Sequence, residues 1–231
     1  MRLNRVHAQR VRVALAERGR VAERETERLP SASLIKVPIA LAVLRARDGG
    51  LLRLDDAVAV DAVPVVGGAG VLRQLSGRPT CPVGDLLTLM LTVSDNLATN
   101  LLLEQLDRAT GSAYAAGAEV CELAGLADTV LQRRMMDPAA VDAGRDNWTT
   151  AADQCRLMAL IAGDAVSSLV GTESATVLRD VLLPSNSAAG WPRWYRRIVN
   201  WDTKPAGWTA SCTTPDSCSP PPVRRSRRSP C

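Results

Sequence analysis

PSASLIKVPIALAVL, residues 30–44, is the stretch on which the fold turns. A proline and two serines mark a helix start, and the residues from Leu34 onward are apolar nearly all round, as in a helix buried inside a domain. The signal runs to about Arg47 and stops at Gly49-Gly50, so a helix is expected over 33–47. Lys36 interrupts the apolar run between Ile35 and Val37. A serine hydroxyl is a weak nucleophile until a base takes its proton, and residues three apart share a helix face. Ser33 and Lys36 can therefore meet. Desolvation would lower the Lys36 pKa and leave a neutral amine able to serve as the base. Taken alone, SxxK is a very common pattern that more often marks a serine cap followed by a lysine that snorkels outward.

A second short word stands in LTVSDNLATN, residues 91–100. In Ser94-Asp95-Asn96 a serine could relay a proton and an amide could hold a substrate amide, although Ser94 or Asp95 would also make an ordinary helix cap. His7, the sole histidine, lies near the terminus in a polar context, so a Ser/His/Asp triad has nothing to build on.

Around these words the chain reads as a brief strand pair followed by many helices. RVRVALA and VAERE suggest a hairpin within 10–28, with Gly19 at the centre of its turn. Helices are expected over 82–91, 94–109, 118–124, 149–163 and 173–183, with a short one near 71–75. Residues 61–70 read as a loop, 111–117 as a connection, and 132–147 as a long ordered loop. A strand pair cannot bury a face alone, yet 209–231, with five prolines, shows no alternating apolar run and reads as disordered.

With 231 residues and a 46% apolar fraction, the chain has ample material for one core. Its net charge of +4 is uneven: residues 201–231 carry five Lys or Arg against two Asp, leaving +1 for the rest. No basic groove for nucleic acid is indicated in the body. Cys81, Cys121 and Cys155 are scattered and Cys212, Cys218 and Cys231 sit in the tail, so neither a disulfide framework nor a metal pair is expected. No apolar run is long enough for a membrane span or a signal peptide, which places the chain as given in the cytoplasm.

SxxK followed about 60 residues later by SDN is the pattern of penicillin-interacting serine hydrolases. The stretches RLPSASLIKVPIALAVL, GAGVLRQL, DLLTLMLTVSDNLATNLLLEQL and RRMMDPAAVDAGRDNWTTAADQ resemble class A beta-lactamases, over roughly residues 22–183. The resemblance implies an α/β (α+β) fold: a helical subdomain beside an antiparallel sheet flanked by helices, here residues 1–200, with 201–231 as a low-complexity tail. It implies Ser33 as acylated nucleophile, its N–H as half of an oxyanion hole, and Lys36 as acylation base. Ser94 would pass a proton to the beta-lactam nitrogen, Asn96 would orient substrate and Lys36, and Asp95 would tie loops together. It implies no metal and no organic cofactor. The expected partner is a small beta-lactam, or a peptidoglycan-like or ester substrate, handled by a monomer, secreted or periplasmic where a leader precedes the chain.

Two departures qualify the implied activity. Class A enzymes hold a glutamate in the long loop to activate the deacylating water; here Met135 falls at its place, and Asp137 is the nearest carboxylate. Without that base the acyl-enzyme should persist, as in a penicillin-binding or esterase-like protein. The second departure is the family's KTG strand. It is absent from the frame as written, but Asp202–Ser217, read from the last base of each preceding codon, admits HKTGWLDGVVHDAGL. A frameshift between about Pro184 and Trp201 is therefore expected. By that reading Lys204 is not the family's strand lysine, the tail is out-of-frame coding, and the C-terminal strands are missing. An inactive truncated fragment is then the remaining alternative.

Overall fold

The computed structural model describes residues 11–16, 19–77, 80–182 and 207–212. A 3₁₀ turn, Ala32–Ile35, leads directly into helix α1, Lys36–Asp48, and every residue from Lys36 to Leu44 is buried. Pro38 is tolerated because it falls in the first turn, where an N–H would have no intrahelical partner. Four helices pack on α1: α2 (Val83–Thr92), α3 (Asn96–Thr110), α4 (Ala113–Leu123) and α7 (Thr172–Leu182). Each fully buried Leu, Ile or Val contributes about 1.5–3 kcal/mol, so this central helix anchors the core. At its far end the Asp48 carboxylate accepts from Gly171 N and Ser174 Oγ, both at 2.6 Å, while Arg47 pairs with Glu173.

The remaining helices are α5 (Pro138–Asp142) and α6 (Ala151–Ala162). Thr150 caps α6 by accepting from Asp153 N, and Gly163 ends it, as the sequence reading expects. Two expectations are corrected. Residues 111–117 are not a connection: α4 starts at Ala113, capped by Ser112, and runs through Gly117. A Cβ at Gly117 would stand 3.0 Å from Leu131 Cδ2, so this glycine lets the segment carrying Leu131 lie against the helix. The loop 132–147 is not wholly irregular either, since Asp137 caps α5 and Pro138 opens it.

Strand β1 (Val11–Ala16) lies between β2 (Gly19–Glu23) and β7 (Gly207–Cys212), both antiparallel to it. Ala16 pairs with Gly19 in one ladder and with Gly207 in the other. Gly19 is therefore the first residue of the return strand rather than the turn's centre. The third strand comes from a segment expected to be disordered. Trp208, Ala210 and Cys212 alternate with Thr209 and Ser211, a period-2 pattern easily lost among the neighbouring prolines. Helix α6 packs against β1 and β7. Lys204 and the expected tail apart from Gly207–Cys212 lie outside the described residues. Two short pairs, β3 (Leu29–Pro30) with β6 (Trp148–Thr149) and β4 (Ala57–Ala59) with β5 (Thr80–Pro82), brace the loops around the helices.

Candidate active site

Ser33 is carried by the 3₁₀ turn and Lys36 by the first position of α1, so both stand at the positive end of the helix dipole. The Ser31 N–H donates to Asn147 O at 2.7 Å, and Ala32 adopts φ 46°. This fixes the entry to the turn. Ser94 occupies the link between α2 and α3 with φ 56°, and Asn96 opens α3.

The folded chain brings four of the expected residues together. Lys36 Nζ lies 2.7 Å from Ser94 O, 2.9 Å from Ser94 Oγ and 2.8 Å from Asn96 Oδ1, but 3.5 Å from Ser33 Oγ. Ser94 Oγ and Ser33 Oγ are 2.7 Å apart. The shorter route from nucleophile to amine thus runs through Ser94. Lys36 is 0% exposed, and burial lowers its pKa from 10.5 to about 7, against the opposing field of the Asp95 carboxylate. A neutral amine is therefore well populated near neutrality. With it neutral, the hydroxyl hydrogens of Ser33 and Ser94 can both point along the chain toward nitrogen.

Asp95 and Asn96 are fixed by the loop before them. Asp95 Oδ2 accepts from Val71 N (2.6 Å) and Leu72 N (2.7 Å), and Oδ1 from Ala98 N (3.0 Å). Asn96 Nδ2 donates to Gly67 O at 3.1 Å and Asn96 N to Ala69 O at 3.0 Å. The approach is so close that a Cβ at Gly70, where φ is 117°, would stand 2.3 Å from the Asp95 carboxylate.

The loop over 130–147 is closed at its base by Arg133–Asp146 (2.7 Å) and by Asn147 Oδ1, which accepts from Gln132 N and Arg133 N. Arg134 ties it to Glu104 and Asp107 of α3. Asn100, one turn beyond Asn96, clamps the Met135 backbone: Met135 N donates to its Oδ1 at 2.8 Å and its Nδ2 donates to Met135 O at 3.1 Å. The Met135 side chain is buried in the core cluster. Asp137 Oδ1 accepts from Ala140 N at 3.0 Å, so its carboxylate serves as a helix cap. Two residues overlooked in the sequence now stand out. Asn100 was legible as the i+4 neighbour of Asn96. Met136 was not: it is 55% exposed at φ 57°, and its sulfur reaches the Gly68 side of Asn96. Among the described residues no group of three or more His, Cys, Asp or Glu is placed to hold a metal ion, and no helix is long and apolar enough to cross a membrane.

A family model described as "Beta-lactamase enzyme family" matches residues 6–191. The chain belongs to the beta-lactamase enzyme family. It is a serine hydrolase of that family. Its fold is similar to that of a beta-lactamase from Sphaerobacter thermophilus, at 23% identity and a TM-score of 0.68, covering 92% of this chain and 86% of that one. A chromosome-encoded beta-lactamase mutant of Vibrio parahaemolyticus gives 17% identity and a TM-score of 0.70, covering 92% and 88%. PBP-A gives 18% identity and a TM-score of 0.68, covering 91% and 82%. No curated protein matches the chain.

Proposed function

We propose that this member of the family acylates Ser33 with beta-lactams and releases the acyl group slowly. The observation that supports it is the short hydrogen-bonded path Ser33–Ser94–Lys36 ending on a buried amine whose pKa is lowered to about 7. In acylation the Ser33 proton passes by way of Ser94 Oγ to neutral Lys36 while Oγ of Ser33 bonds to the lactam carbonyl carbon. The C–N bond then breaks, and Lys36 returns a proton through Ser94 to the leaving nitrogen. The Ser33 N–H, at a helix N-terminus, faces the developing oxyanion. Asn96 orients Lys36 through Oδ1 and, beside the hydrogen given to Gly67 O, has one Nδ2 hydrogen to offer a substrate carbonyl. Asp95 acts on this set from behind, by fixing the loop and α3.

Deacylation needs a base for water. A thioether at Met135 can neither take nor hold a proton, and the Asp137 carboxylate is engaged at the start of α5. The same behaviour is compatible with the likeness to PBP-A, a mutant of which is known as an acyl-enzyme complex with penicillin G. The protein is further proposed to act as a monomer.

The test is intact-protein mass spectrometry of the 231-residue chain with benzylpenicillin, followed over time. The expected result is one equivalent of adduct on Ser33, absent in Ser33→Ala, which persists long after free drug is removed. Attachment elsewhere would refute the nucleophile. Rapid multiple turnover that disappears in Asp137→Asn would show that Asp137 supplies the base.

A further inference from the structure

Among the described residues, four non-glycine positions hold positive φ: Arg24, Ala32, Ser94 and Met136. Ala32 and Ser94 flank or form the catalytic group, so their strain has an evident purpose. Met136 takes no part in the proton path, yet it is held in the same conformation. An unbranched apolar residue persists there only when its surroundings determine it. They do so from both sides: Asn100 fixes the Met135 backbone, and Asp137 is locked as the cap of α5. The loop is thus built to hold this one side chain outward.

What it meets can be read from Gly68. A Cβ at Gly68 would stand 2.5 Å from Asn96 Nδ2 and 3.3 Å from Met136 Sδ. The sulfur therefore lies over a residue without a side chain, next to the amide group that binds Lys36. The other described methionines, Met90, Met135 and Met158, are buried in the core, whereas Met136 is 55% exposed.

We propose that Met136 is a specificity-determining residue, a thioether wall that favours acyl donors whose side-chain amide carries an aromatic or aliphatic group. This inference rests on the acylation of Ser33 proposed above. A substrate whose amide is held at Asn96 must carry its next substituent past Asn96 Nδ2. Gly68 packs so closely on Asn96 that this side is closed, and the exposed Met136 sulfur stands beside it. A benzyl group gains a sulfur–aromatic contact there; a bare amine has no aromatic group to make one.

The experiment compares second-order acylation of Ser33 by benzylpenicillin and by 6-aminopenicillanic acid, which share the reacting bicycle, the second with a free amine in place of the phenylacetamide. Adduct on Ser33 is counted by mass spectrometry for the unmodified chain, Met136→Gly, Met136→Asn and Met136→Leu. Glycine and asparagine both accept positive φ, so neither variant adds backbone strain. The benzylpenicillin-to-aminopenicillanate rate ratio should fall about 2- to 10-fold in the Gly and Asn variants, the range of a sulfur–aromatic contact, and fall less in Met136→Leu, which keeps the apolar bulk without the sulfur. An unchanged ratio in Met136→Gly, with Ser33 still acylated by both drugs, would overturn the assignment of Met136 alone. Absence of any Ser33 adduct in the unmodified chain would overturn the acylation reading and this inference with it.

Discussion

Loss of the Lys36 proton should switch on acylation as pH rises to about 7 and stabilise the fold as pH rises beyond it. The amine is 0% exposed and its pKa lies near 7 rather than 10.5, chiefly through desolvation. Two pH units below that value about 1% of the amine is neutral, so the Ser33 acylation rate at pH 5 should be about 100-fold below its plateau. The unfolded chain keeps its proton up to about 10.5, whereas the folded chain gives it up near 7. Between those values the unfolded state binds one proton more, and stability must rise with pH. At about 1.4 kcal/mol per pH unit the whole displacement corresponds to about 5 kcal/mol. Stopped-flow acylation by a chromogenic beta-lactam, measured beside urea midpoints from pH 5 to 9, reads both effects. In Lys36→Met the stability slope attributable to this amine should vanish. The midpoint level will shift too, because Ser94 O, Ser94 Oγ and Asn96 Oδ1 lose their shared donor, at about 1–3 kcal/mol for each one left unsatisfied. An acylation rate that is flat across pH 5–8.5, or that rises only above pH 9, would refute the neutral-amine mechanism.

Met135→Glu should raise the deacylation rate more than the acylation rate in pre-steady-state hydrolysis, because it sets a carboxylate on the backbone clamped by Asn100; equal effects on both steps would argue against that position. Gly70→Ala should cost about 2 kcal/mol or more in thermal or urea unfolding and slow acylation as well, since its Cβ would overlap the Asp95 carboxylate at a φ of 117°; an unchanged melting point would show that the loop yields freely. Gly117→Leu should destabilise the chain by about 1–3 kcal/mol through overpacking against Leu131, read by the same unfolding assay. The proposed frame change predicts that the encoding DNA across codons 184–217 reads HKTGW in the displaced frame; a stop codon or an unrelated string there would dismiss it.

Much of the site was legible because its members sit in two contiguous words, each with fixed local geometry. SLIK places its serine and lysine on one face of a helix start, and SDN places its asparagine at the start of the next helix. The apolar run after Lys36 also gave α1 its central position. What stayed hidden depends on contacts between distant segments. Gly117 suggests a break in α4 until Leu131 is seen lying against it. The five residues of α5 are too few to show a period. The Asn100 clamp, the Arg133–Asp146 closure and the outward turn of Met136 arise only when the 130–147 loop lies on α3. Strand β7 is hidden by composition: its alternating hexapeptide stands among prolines.

The position of β1 between β2 and β7 has a bearing on how the molecule assembles in time. Its first partner follows within a few residues, but the second is Gly207–Cys212, so that ladder cannot close until the helices between have been made. The contacts among α1, α2, α3 and α4 span far shorter stretches, and local contacts form faster than distant ones. A chain emerging from the ribosome would therefore gather Ser33, Lys36, Ser94 and Asn96 while one edge of β1 still waits for its neighbour. During that interval the open edge can pair with another chain, which makes yield during synthesis sensitive to residues 207–212.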